Sequence, residues 1–309
     1  MSTVLNRPTV SRWGRSSYET PEHIAAEKKA LLKVATPVSD NTDAEIVVVH
    51  SKLFIAEDTL QKLPSAKMII TTTSGYEHLN LPLLQRNGIR AARMPLVRRD
   101  AVVCSTLSMI LDAVRKNYVF RQQSRLGYWS RSDLPTIQPK NLEDTCVGVV
   151  GHGVIGRKMT DSLRLLGCKV VVCDPADDKS IKFADLPTTC DVVSLHCSYS
   201  ESNHQMVNVD WLSKFSVGKP GVLINTARGK LIDIDAAVKA LDDGRLCYLG
   251  LDVFPTEPFS DMGLVRGRPN LFITPHSAGY HPHIHKDISA NLVGYLQQYR
   301  NNERLTFEL

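Results

Sequence analysis

The sequence lacks any long hydrophobic run. No stretch of about 18 consecutive apolar residues, the length that crosses a bilayer, occurs among its 309 residues, so we predict no transmembrane helix. The first 13 residues are polar and contain no apolar core segment, so we expect no signal peptide. Aromatic residues are scarce at 6%, and no basic run contains interleaved aromatics, which makes nucleic acid an unexpected partner.

The cysteines lack the spacing of a metal or redox motif. The chain has seven cysteines but no CxxC pair, and their spacing is not that of a small disulfide-stapled domain. Most of them fall in apolar stretches, as Cys146, Cys168, Cys173 and Cys190 do. We therefore expect reduced, buried thiols in a cytoplasmic protein.

The sequence does contain enough apolar material for folded cores. Hydrophobic residues make up 43% of the chain, which argues against disorder, and its length suits roughly two domains. The net charge of +5 is mild for this length and would suit a small anionic substrate.

The most informative stretch runs from residue 145 to residue 174. A valine-rich strand leads into Gly151–Gly156 (GHGVIG), and apolar residues at helical spacing follow. In this pattern the first glycine permits a tight turn, the second lets the backbone approach a pyrophosphate, and the third lets the helix pack closely on the strand. The alternative is a glycine-rich turn of an ordinary α/β domain. The strand before it and the helix after it favour a dinucleotide site.

Asp174 closes that stretch. It ends a second valine-rich strand about 20 residues after the glycines, where a carboxylate accepts hydrogen bonds from the ribose hydroxyls of NAD. No arginine occurs among residues 175–178 to neutralise a 2′-phosphate. The sequence thus favours NAD over NADP.

Strand and helix patterns alternate on both sides of this stretch. A polar lead-in over residues 1–20 precedes predicted strands at 46–49 and 68–72, and a long helix is predicted over 102–120. Beyond residue 174, four predicted strands end at polar residues, which is where doubly wound folds bind their ligands. The alternation predicts an α/β protein with parallel sheets.

Three polar side chains at predicted strand ends could carry out chemistry beside such a cofactor. When a hydride reaches a carbonyl carbon, a proton must reach the oxygen, and His276 is a natural donor near neutral pH. The Glu257 carboxylate would favour its protonated form, and the Arg228 guanidinium can hold a substrate carboxylate through two hydrogen bonds. Taken singly, each residue has an equally good structural explanation. Together, downstream of the glycine motif, they favour reduction of a 2-oxo acid.

Five segments match one enzyme family. They are VGVVGHGVIG at 147–156, DVVSLHC at 191–197, LINTARG at 223–229, GLDVFPTEP at 250–258 and TPHSAG at 274–279. In order and spacing they resemble the NAD-dependent D-isomer-specific 2-hydroxyacid dehydrogenases. The resemblance implies two Rossmann-like, doubly wound parallel-sheet domains with the active site in the cleft between them. It also implies a substrate-binding domain at 1–101 with 282–309, an NAD-binding domain at 102–281, and a homodimer.

The resemblance implies roles for individual residues as well. Arg228 would bind the substrate carboxylate and carbonyl, His276 would be the acid/base, and Glu257 would be its partner. The substrate would also contact residues of the first domain, namely His50, Ser74, Gly75 and Arg98. The residues expected to line the cofactor cleft are Thr106, Gly151, Gly153, Val154, Ile155, Gly156, Asp174, His196, Cys197, Thr226, Ala227, Arg228, Asp252, His276, Ala278 and Gly279.

Several positions depart from the family's pattern. His50 stands where many members have an arginine or an aromatic residue, and the segment ending at Thr106 reads Val-Cys-Ser-Thr where many have Val-Ala-Glu-His. Arg98 and Arg99 stand at positions where the family often has small or amide residues. We infer an altered substrate pocket suited to a second anionic group.

Three alternating histidines, His281, His283 and His285, invite a metal interpretation. On a helix they would spread over different faces, and they lack acidic or cysteine ligands at a known spacing. We expect no metal site here, and a solvent-facing or cleft-rim position for these histidines.

Two alternatives remain open. The family that this chain resembles includes transcriptional corepressors that keep the fold and sense NAD(H) without catalysis, although no partner-docking signature is visible here. The pair Arg98 and Arg99 also leaves open a dehydrogenase of phosphorylated substrates.

Overall fold

The structure, a computed structural model, describes residues 7–16, 19–39 and 41–309. The predicted lead-in at 1–20 and the segment considered for a signal peptide lie partly outside the described residues. The chain divides into two compact units, Met1–Arg98 with His281–Leu309 (unit 1) and Arg99–Tyr280 (unit 2). Within the described ranges, no helix is both long enough and apolar enough to cross a membrane.

The strands, in chain order, are β1 (Thr9–Trp13), β2 (Thr36–Pro37), β3 (Ile46–Val49), β4 (Met68–Thr71), β5 (Arg90–Arg93), β6 (Cys146–Val150), β7 (Lys169–Cys173), β8 (Val192–Leu195), β9 (Gly221–Asn225), β10 (Leu246–Leu251) and β11 (Leu271–Ile273). The α-helices are α1 (Pro21–Leu31), α2 (Glu57–Leu60), α3 (Leu81–Arg86), α4 (Leu96–Val114), α5 (Asn117–Arg125), α6 (Leu134–Ile137), α7 (Val154–Leu165), α8 (Leu186–Thr189), α9 (Val209–Leu212), α10 (Ile234–Asp242) and α11 (Ile284–Arg300).

Unit 1 is built on a parallel sheet with the strand order β2-β1-β3-β4-β5, in which Val49 lies opposite Thr71. Because side chains alternate along a strand, Val48 and Ile70 pack into a core with α1 and α11. Val49 and Ile69 pack into a second core with α3 on the other face. Both faces are covered, which explains why these strands are continuous apolar runs in the sequence.

Unit 2 is built on a parallel sheet with the strand order β11-β10-β9-β8-β6-β7. Val147 and Val149 of β6 pack into a core with α4 and α7. Val193 and Leu195 of β8 pack into a core on the opposite face with α9 and α10. Because all strands run in one direction, the loops after β6, β8, β9, β10 and β11 emerge at the same edge of the sheet. The predicted α/β class, with parallel sheets and interleaved helices, is confirmed.

The prediction of a polar lead-in over residues 1–20 was wrong, because Thr9–Trp13 forms β1 in the middle of the unit 1 sheet. Its Arg12 made the segment look exposed. The Arg12 side chain is only 9% exposed, and its guanidinium pairs with Glu19 at 3.0 Å and with Glu27 at 3.4 Å. Paired charges of this kind can be buried, and no local pattern reveals the pairing.

The prediction of one long helix over 102–120 was also wrong. The helix α4 begins earlier, at Leu96, and ends at Val114. A second helix, α5, begins at Asn117, because Lys116 adopts a φ of +55° that no helix can contain. The short strands β2 and β5 were not predicted, since β5 reads Arg-Ala-Ala-Arg and these residues have little preference for strands.

All seven cysteines are unpaired. Cys168, Cys173 and Cys190 are buried, as expected, whereas Cys146 is only partly buried and Cys104 is exposed on α4. Burial raises the pKa of the Cys168 and Cys173 thiols, so both are protonated near neutral pH.

Candidate active site

The turn after β6 needs glycine at two positions for its own packing. Gly151 has a φ of +92°, and a Cβ added there would lie 2.5 Å from the backbone nitrogen of Cys197. A Cβ on Gly156, in the first turn of α7, would collide with the carbonyl oxygen of Gly151. The missing side chain of Gly151 thus lets the turn pack on the segment after β8, and that of Gly156 lets α7 pack on the turn.

Gly153 is different, because a Cβ added there would meet no atom within 4 Å. It precedes α7 with a φ of −74°, which any residue can adopt. Nothing in the chain itself therefore requires glycine at this position. The open space lies before the unpaired N–H groups of Val154, Ile155 and the rest of the first turn, an arrangement that suits a pyrophosphate.

Asp174 follows β7 and is tied to the same turn. Its Oδ2 accepts a hydrogen bond from the backbone nitrogen of His152 at 2.5 Å, and its Oδ1 accepts one from Ala176 at 2.9 Å. The His152 ring lies 3.2 Å from the carboxylate of Asp177. Each carboxylate oxygen keeps a second lone pair that can accept a ribose hydroxyl, whereas two acidic groups would repel a 2′-phosphate.

His196 and Cys197 follow β8 and border the glycine turn with uncharged groups. One ring nitrogen of His196, Nε2, lies 2.9 Å from the hydroxyl of Ser194. Burial lowers the pKa of His196 to about 4 and raises the pKa of the Cys197 thiol to about 12. Both side chains are therefore neutral at pH 7 and can contact a cofactor without charging its pocket.

Asp252 organises the loop after β11. It is 1% exposed, and its carboxylate accepts hydrogen bonds from the Thr274 hydroxyl at 2.6 Å and from the backbone nitrogens of Ser277 and Ala278 at 2.8 and 3.1 Å. Its carbonyl oxygen accepts the backbone N–H of His276 at 2.8 Å. His276 has a φ of +53°, a backbone conformation that the hydrogen bonds to Asp252 hold in place.

The loops after β10 and β11 bring an imidazole and a carboxylate together. His276 Nδ1 lies 2.7 Å from Glu257 Oε2, and Glu257 Oε1 accepts the backbone N–H of Phe254 at 3.0 Å. The hydrogen bond between His276 and Glu257 raises the pKa of His276. Burial is the largest single influence on Glu257 and opposes its ionisation. The hydrogen bonds from His276 and from the Phe254 N–H, together with the charges of His276 and Arg228, outweigh it and lower the pKa of that carboxyl. The pair therefore favours an imidazolium next to a carboxylate, with Nε2 left for another partner.

The loop after β9 carries Arg228 towards this pair. Its Nη1 donates to the carbonyl oxygen of Ala227 at 2.6 Å. A Cβ on Gly229 would collide with the backbone of Phe254, so this loop packs directly on the loop that carries Glu257. The positive charge of Arg228 is close enough to lower the pKa of Glu257 and to oppose protonation of His276. The structure thus groups all three predicted catalytic residues on neighbouring loops of unit 2.

Sequence reasoning missed two residues that hold these loops. Asn225 is buried at the end of β9, where its Oδ1 accepts the N–H of Ala227 at 3.0 Å and its Nδ2 donates to the carbonyl of Arg228 at 2.8 Å. Thr274 is the hydroxyl donor to Asp252. Asn225 could have been recognised from the sequence, because an asparagine side chain often binds the backbone of the turn that follows it. The pairing of Thr274 with Asp252 spans 22 residues and has no local signal.

Thr106, Thr226 and Ala278 lie near these loops but are largely buried. The Thr106 hydroxyl donates to the carbonyl of Val102 at 2.8 Å and lies 3.0 Å from the hydroxyl of Thr226. The carbonyl of Ala278 accepts the Ser105 hydroxyl at 3.4 Å. These contacts tie α4 to the loops after β9 and β11 within unit 2.

Of the four residues predicted to contact the substrate in unit 1, His50, Ser74 and Gly75 lie after β3 and β4, and Arg98 lies in the first turn of α4. His50 directly follows β3, and the Ser74 hydroxyl donates to the carbonyl of Pro95 at 3.3 Å. The carbonyl of Gly75 accepts the Thr73 hydroxyl at 2.8 Å. The carboxyl end of this sheet therefore also bears polar groups.

The three alternating histidines contact different parts of unit 1. His281 Nε2 lies 2.9 Å from the carbonyl of Val97, His283 is exposed before α11, and the buried His285 ring stacks on His23 with centroids 4.2 Å apart. The expectation of a solvent-facing position was wrong for His285, because α1 covers that face of α11. Across the described ranges, no group of three or more His, Cys, Asp or Glu side chains is placed to hold a metal ion.

Comparisons with known proteins identify one enzyme family. Residues 107–278 match the model of the D-isomer specific 2-hydroxyacid dehydrogenase, NAD binding domain. A D-lactate dehydrogenase of Curvularia clavata is 31% identical over 266 residues, which cover 83% of this chain and 70% of that protein. A glyoxylate/hydroxypyruvate reductase of Arabidopsis thaliana is 29% identical over 243 residues, which cover 77% of this chain and 74% of that protein.

A solved structure of a related protein has the same fold. The crystal structure of a D-lactate dehydrogenase from Aquifex aeolicus, complexed with NAD and lactic acid, superposes with a TM-score of 0.78. It is 25% identical, and the match covers 96% of each chain.

Proposed function

Because the chain belongs to the NAD-dependent D-isomer specific 2-hydroxyacid dehydrogenases, an oxidoreductase family, we propose that it interconverts a 2-oxo acid and its D-2-hydroxy acid. The observation that carries this proposal is the 2.7 Å hydrogen bond between His276 and Glu257 with Arg228 on the adjoining loop. NAD supplies or accepts the hydride when it is bound. The side chains must then hold the acid and move one proton.

His276 is the proposed acid/base. In reduction, the protonated ring donates its Nε2 proton to the carbonyl oxygen as the hydride reaches the carbon, and in oxidation the neutral ring accepts that proton. Glu257 holds the ring through Nδ1 and stabilises its charged form. Asp252 and Thr274 position the loop, which fixes the direction of the ring.

Arg228 is the proposed carboxylate clamp. One of its nitrogens is held by the carbonyl of Ala227, which limits the motion of the guanidinium. A guanidinium can bind the substrate carboxylate in the fork geometry and orient the neighbouring carbonyl. Backbone N–H groups of Ser74 and Gly75, with His50 and Arg98, are proposed to complete the substrate contacts.

Unit 2 is proposed to bind the cofactor, and unit 1 to bind the substrate. Gly151, Gly153 and Gly156 would leave room for the pyrophosphate, and Asp174 would accept the ribose hydroxyls. The remaining proposed cofactor contacts are Thr106, Val154, Ile155, His196, Cys197, Thr226, Ala227, Arg228, Asp252, His276, Ala278 and Gly279. By family likeness we also propose a homodimer in the cytoplasm.

A substrate panel tests the proposal. The purified protein is incubated with NADH or NADPH and with glyoxylate, pyruvate, hydroxypyruvate and larger 2-oxo acids, and loss of NADH absorbance is followed. We expect turnover of at least one 2-oxo acid and a preference for NADH. Tight NADH binding without turnover of any member of a broad panel would contradict the proposal and favour a non-catalytic NAD(H) sensor.

A further inference from the structure

Arg98 is fixed at the carboxyl end of β4. It lies in the first turn of α4, and its Nη1 donates to the carbonyl oxygen of Thr72, the residue that follows β4. The same loop is bound to the start of α4 by the Ser74 hydroxyl, which donates to the carbonyl of Pro95 at 3.3 Å. The guanidinium is therefore held beside the loop that contains Gly75.

Arg98 has no acidic partner among the described residues, unlike the adjacent Arg99. Arg99 donates two hydrogen bonds to Asp100, at 2.9 and 3.0 Å. In the described ranges of the chain, no carboxylate lies within 4.0 Å of the Arg98 guanidinium. At the same edge, Arg12 and Arg15 are paired with Glu19 and Glu27. Arg93, at the end of β5, has no ion pair among the described residues either, but it donates to the carbonyl of Ser74 at 3.0 Å and its guanidinium lies 5.1 Å from the centre of the Tyr76 ring. A partly buried cation without a counter-ion is costly unless a ligand supplies the opposite charge.

His50 lies within reach of the same charge. It directly follows β3, and its buried Nδ1 has no hydrogen-bond partner among the described residues. Burial, together with the positive charges of Arg98 and Lys52, lowers the pKa of His50. The ring is therefore neutral at pH 7. Because a buried, unpartnered nitrogen is less costly without a proton, the proton is expected on Nε2, where it can be donated.

We propose that Arg98 and His50 form an anion subsite that binds a second negatively charged group of the substrate. This inference rests on the proposed function, in which Arg228 binds the carboxylate next to the reacting carbonyl. A substrate with one carboxylate leaves Arg98 without a counter-ion, whereas a second carboxylate or a phosphate ester neutralises it. A guanidinium and an imidazole N–H can bind either group through charge-assisted hydrogen bonds.

The test compares two adjacent arginines on the same substrates. Arg98→Gln keeps a donor for the Thr72 carbonyl but removes the charge, and Arg99→Gln is the matched control because its charge is already paired with Asp100. The kcat/KM values for oxaloacetate, 2-oxoglutarate and phosphohydroxypyruvate are each divided by that for glyoxylate. We expect the wild-type protein to favour at least one of these acids with a second anionic group. Arg98→Gln should lower that preference by about 10- to 100-fold, the loss typical of a charge-assisted hydrogen bond, and Arg99→Gln should leave it within about 3-fold.

The panel separates the two sources of the second charge. A preference for oxaloacetate or 2-oxoglutarate identifies a carboxylate, and one for phosphohydroxypyruvate identifies a phosphate ester. Equal loss of kcat/KM on glyoxylate and on the dianionic acids would overturn the proposal, because Arg98 would then bind the common carboxylate. No loss of preference in Arg98→Gln would overturn it as well.

A binding measurement that needs no turnover distinguishes this inference from the proposed function. The His50 ring resonances of the NAD-loaded protein are followed by NMR as tartronate, a dianionic 2-hydroxy acid, or glycolate, its monoanionic counterpart, is added. Tartronate should raise the pKa of His50 and glycolate should not, because only tartronate brings a second negative charge. Arg98→Gln should weaken the tartronate response, and Arg98→Lys, which keeps the charge, should retain part of it. If no 2-oxo acid is reduced, the proposed function is contradicted. The His50 response to tartronate still tests whether Arg98 and His50 bind a second anionic group. An unchanged His50 pKa would overturn the subsite.

Discussion

The strand ends of the two sheets are both polar, but their charges are arranged differently. In unit 2, His276 is paired with Glu257, and the Asp252 carboxylate is surrounded by donors. In unit 1, four charges cancel in the cluster of Arg12, Arg15, Glu19 and Glu27, and no carboxylate of the described residues pairs with Arg98.

This difference separates two requirements of the proposed reaction. Proton transfer to any 2-oxo acid needs a donor of fixed direction and raised pKa, which a satisfied pair such as His276 and Glu257 provides. Recognition of one particular acid needs a charge that the protein itself does not neutralise, which Arg98 provides. The comparison therefore predicts that changes in unit 2 reduce all turnover, whereas changes at Arg98 alter the choice of substrate.

The largest effect is expected for His276→Gln. The variant loses the proton donor but keeps a side chain of similar size, so kcat/KM for every 2-oxo acid should fall by about 100- to 10,000-fold. His283→Gln is the matched control, because His283 is an exposed histidine outside the site. Steady-state kinetics on both variants measure the difference. A loss below 10-fold for His276→Gln would remove this histidine from the chemistry.

The next largest effect separates two glycines of one motif. A Cβ on Gly156 collides with the Gly151 backbone, so Gly156→Ala should destabilise the fold by about 2 kcal/mol or more. A Cβ on Gly153 meets only open space, so Gly153→Ala should keep the unfolding temperature but weaken NADH binding by about 10-fold or more. Thermal unfolding and NADH fluorescence titration measure the two quantities. Unchanged NADH affinity in a folded Gly153→Ala would show that the pyrophosphate lies elsewhere.

A third prediction concerns the cluster of unit 1. Arg12→Gln leaves the buried Glu19 and Glu27 carboxylates partly unpaired, so the free energy of unfolding should fall by about 3 kcal/mol. Arg98→Gln removes no ion pair, so the loss should stay below about 1 kcal/mol. Urea unfolding of both variants measures the contrast. Equal losses would mean that Arg98 is part of the structural cluster.

The smallest effect is a change in pH dependence. The Glu257 hydrogen bond raises the pKa of His276, so reduction proceeds below that pKa and is lost as the pH rises through it. In Glu257→Gln the pKa of His276 should fall, and the decline of kcat/KM for reduction should move to lower pH. The contribution of the pair to the free energy of unfolding changes with pH in the same direction. It is fully present below the pKa of an unfolded histidine and is lost as the pH rises through the pKa of His276 in the folded protein. A pH–rate profile that does not move would mean that Glu257 does not control the ring.

The sequence predicts the parts of this molecule that are encoded locally. Gly151 to Gly156 lie in one short segment, and the strands around them are apolar runs that need no distant partner to be recognised. The motifs that contain His276 and Glu257 resemble those of the family, the resemblance implies that the two side chains are partners, and the structure places them 2.7 Å apart. Their roles, and those of the other site residues, stay predictions.

Long-range contacts could not be predicted in the same way. Arg12 made β1 look like a surface segment, because its partner Glu27 lies on a helix 15 residues further along the chain. The stacking of His285 on His23 joins α11 to α1, two helices far apart in the sequence. Arg98 was singled out as a departure from the family. Its lack of a carboxylate partner became visible only when the ion pairs around it were known.

The most direct test of the central claim follows the hydride itself. The protein is incubated with NADH deuterated at the transferred C4 position and with its best 2-oxo acid, and the product is analysed by chiral chromatography and mass spectrometry. The account predicts the D-2-hydroxy acid with one deuterium at C2, and almost none of it from His276→Gln. An L-2-hydroxy acid, or a product without deuterium at C2, would contradict the account.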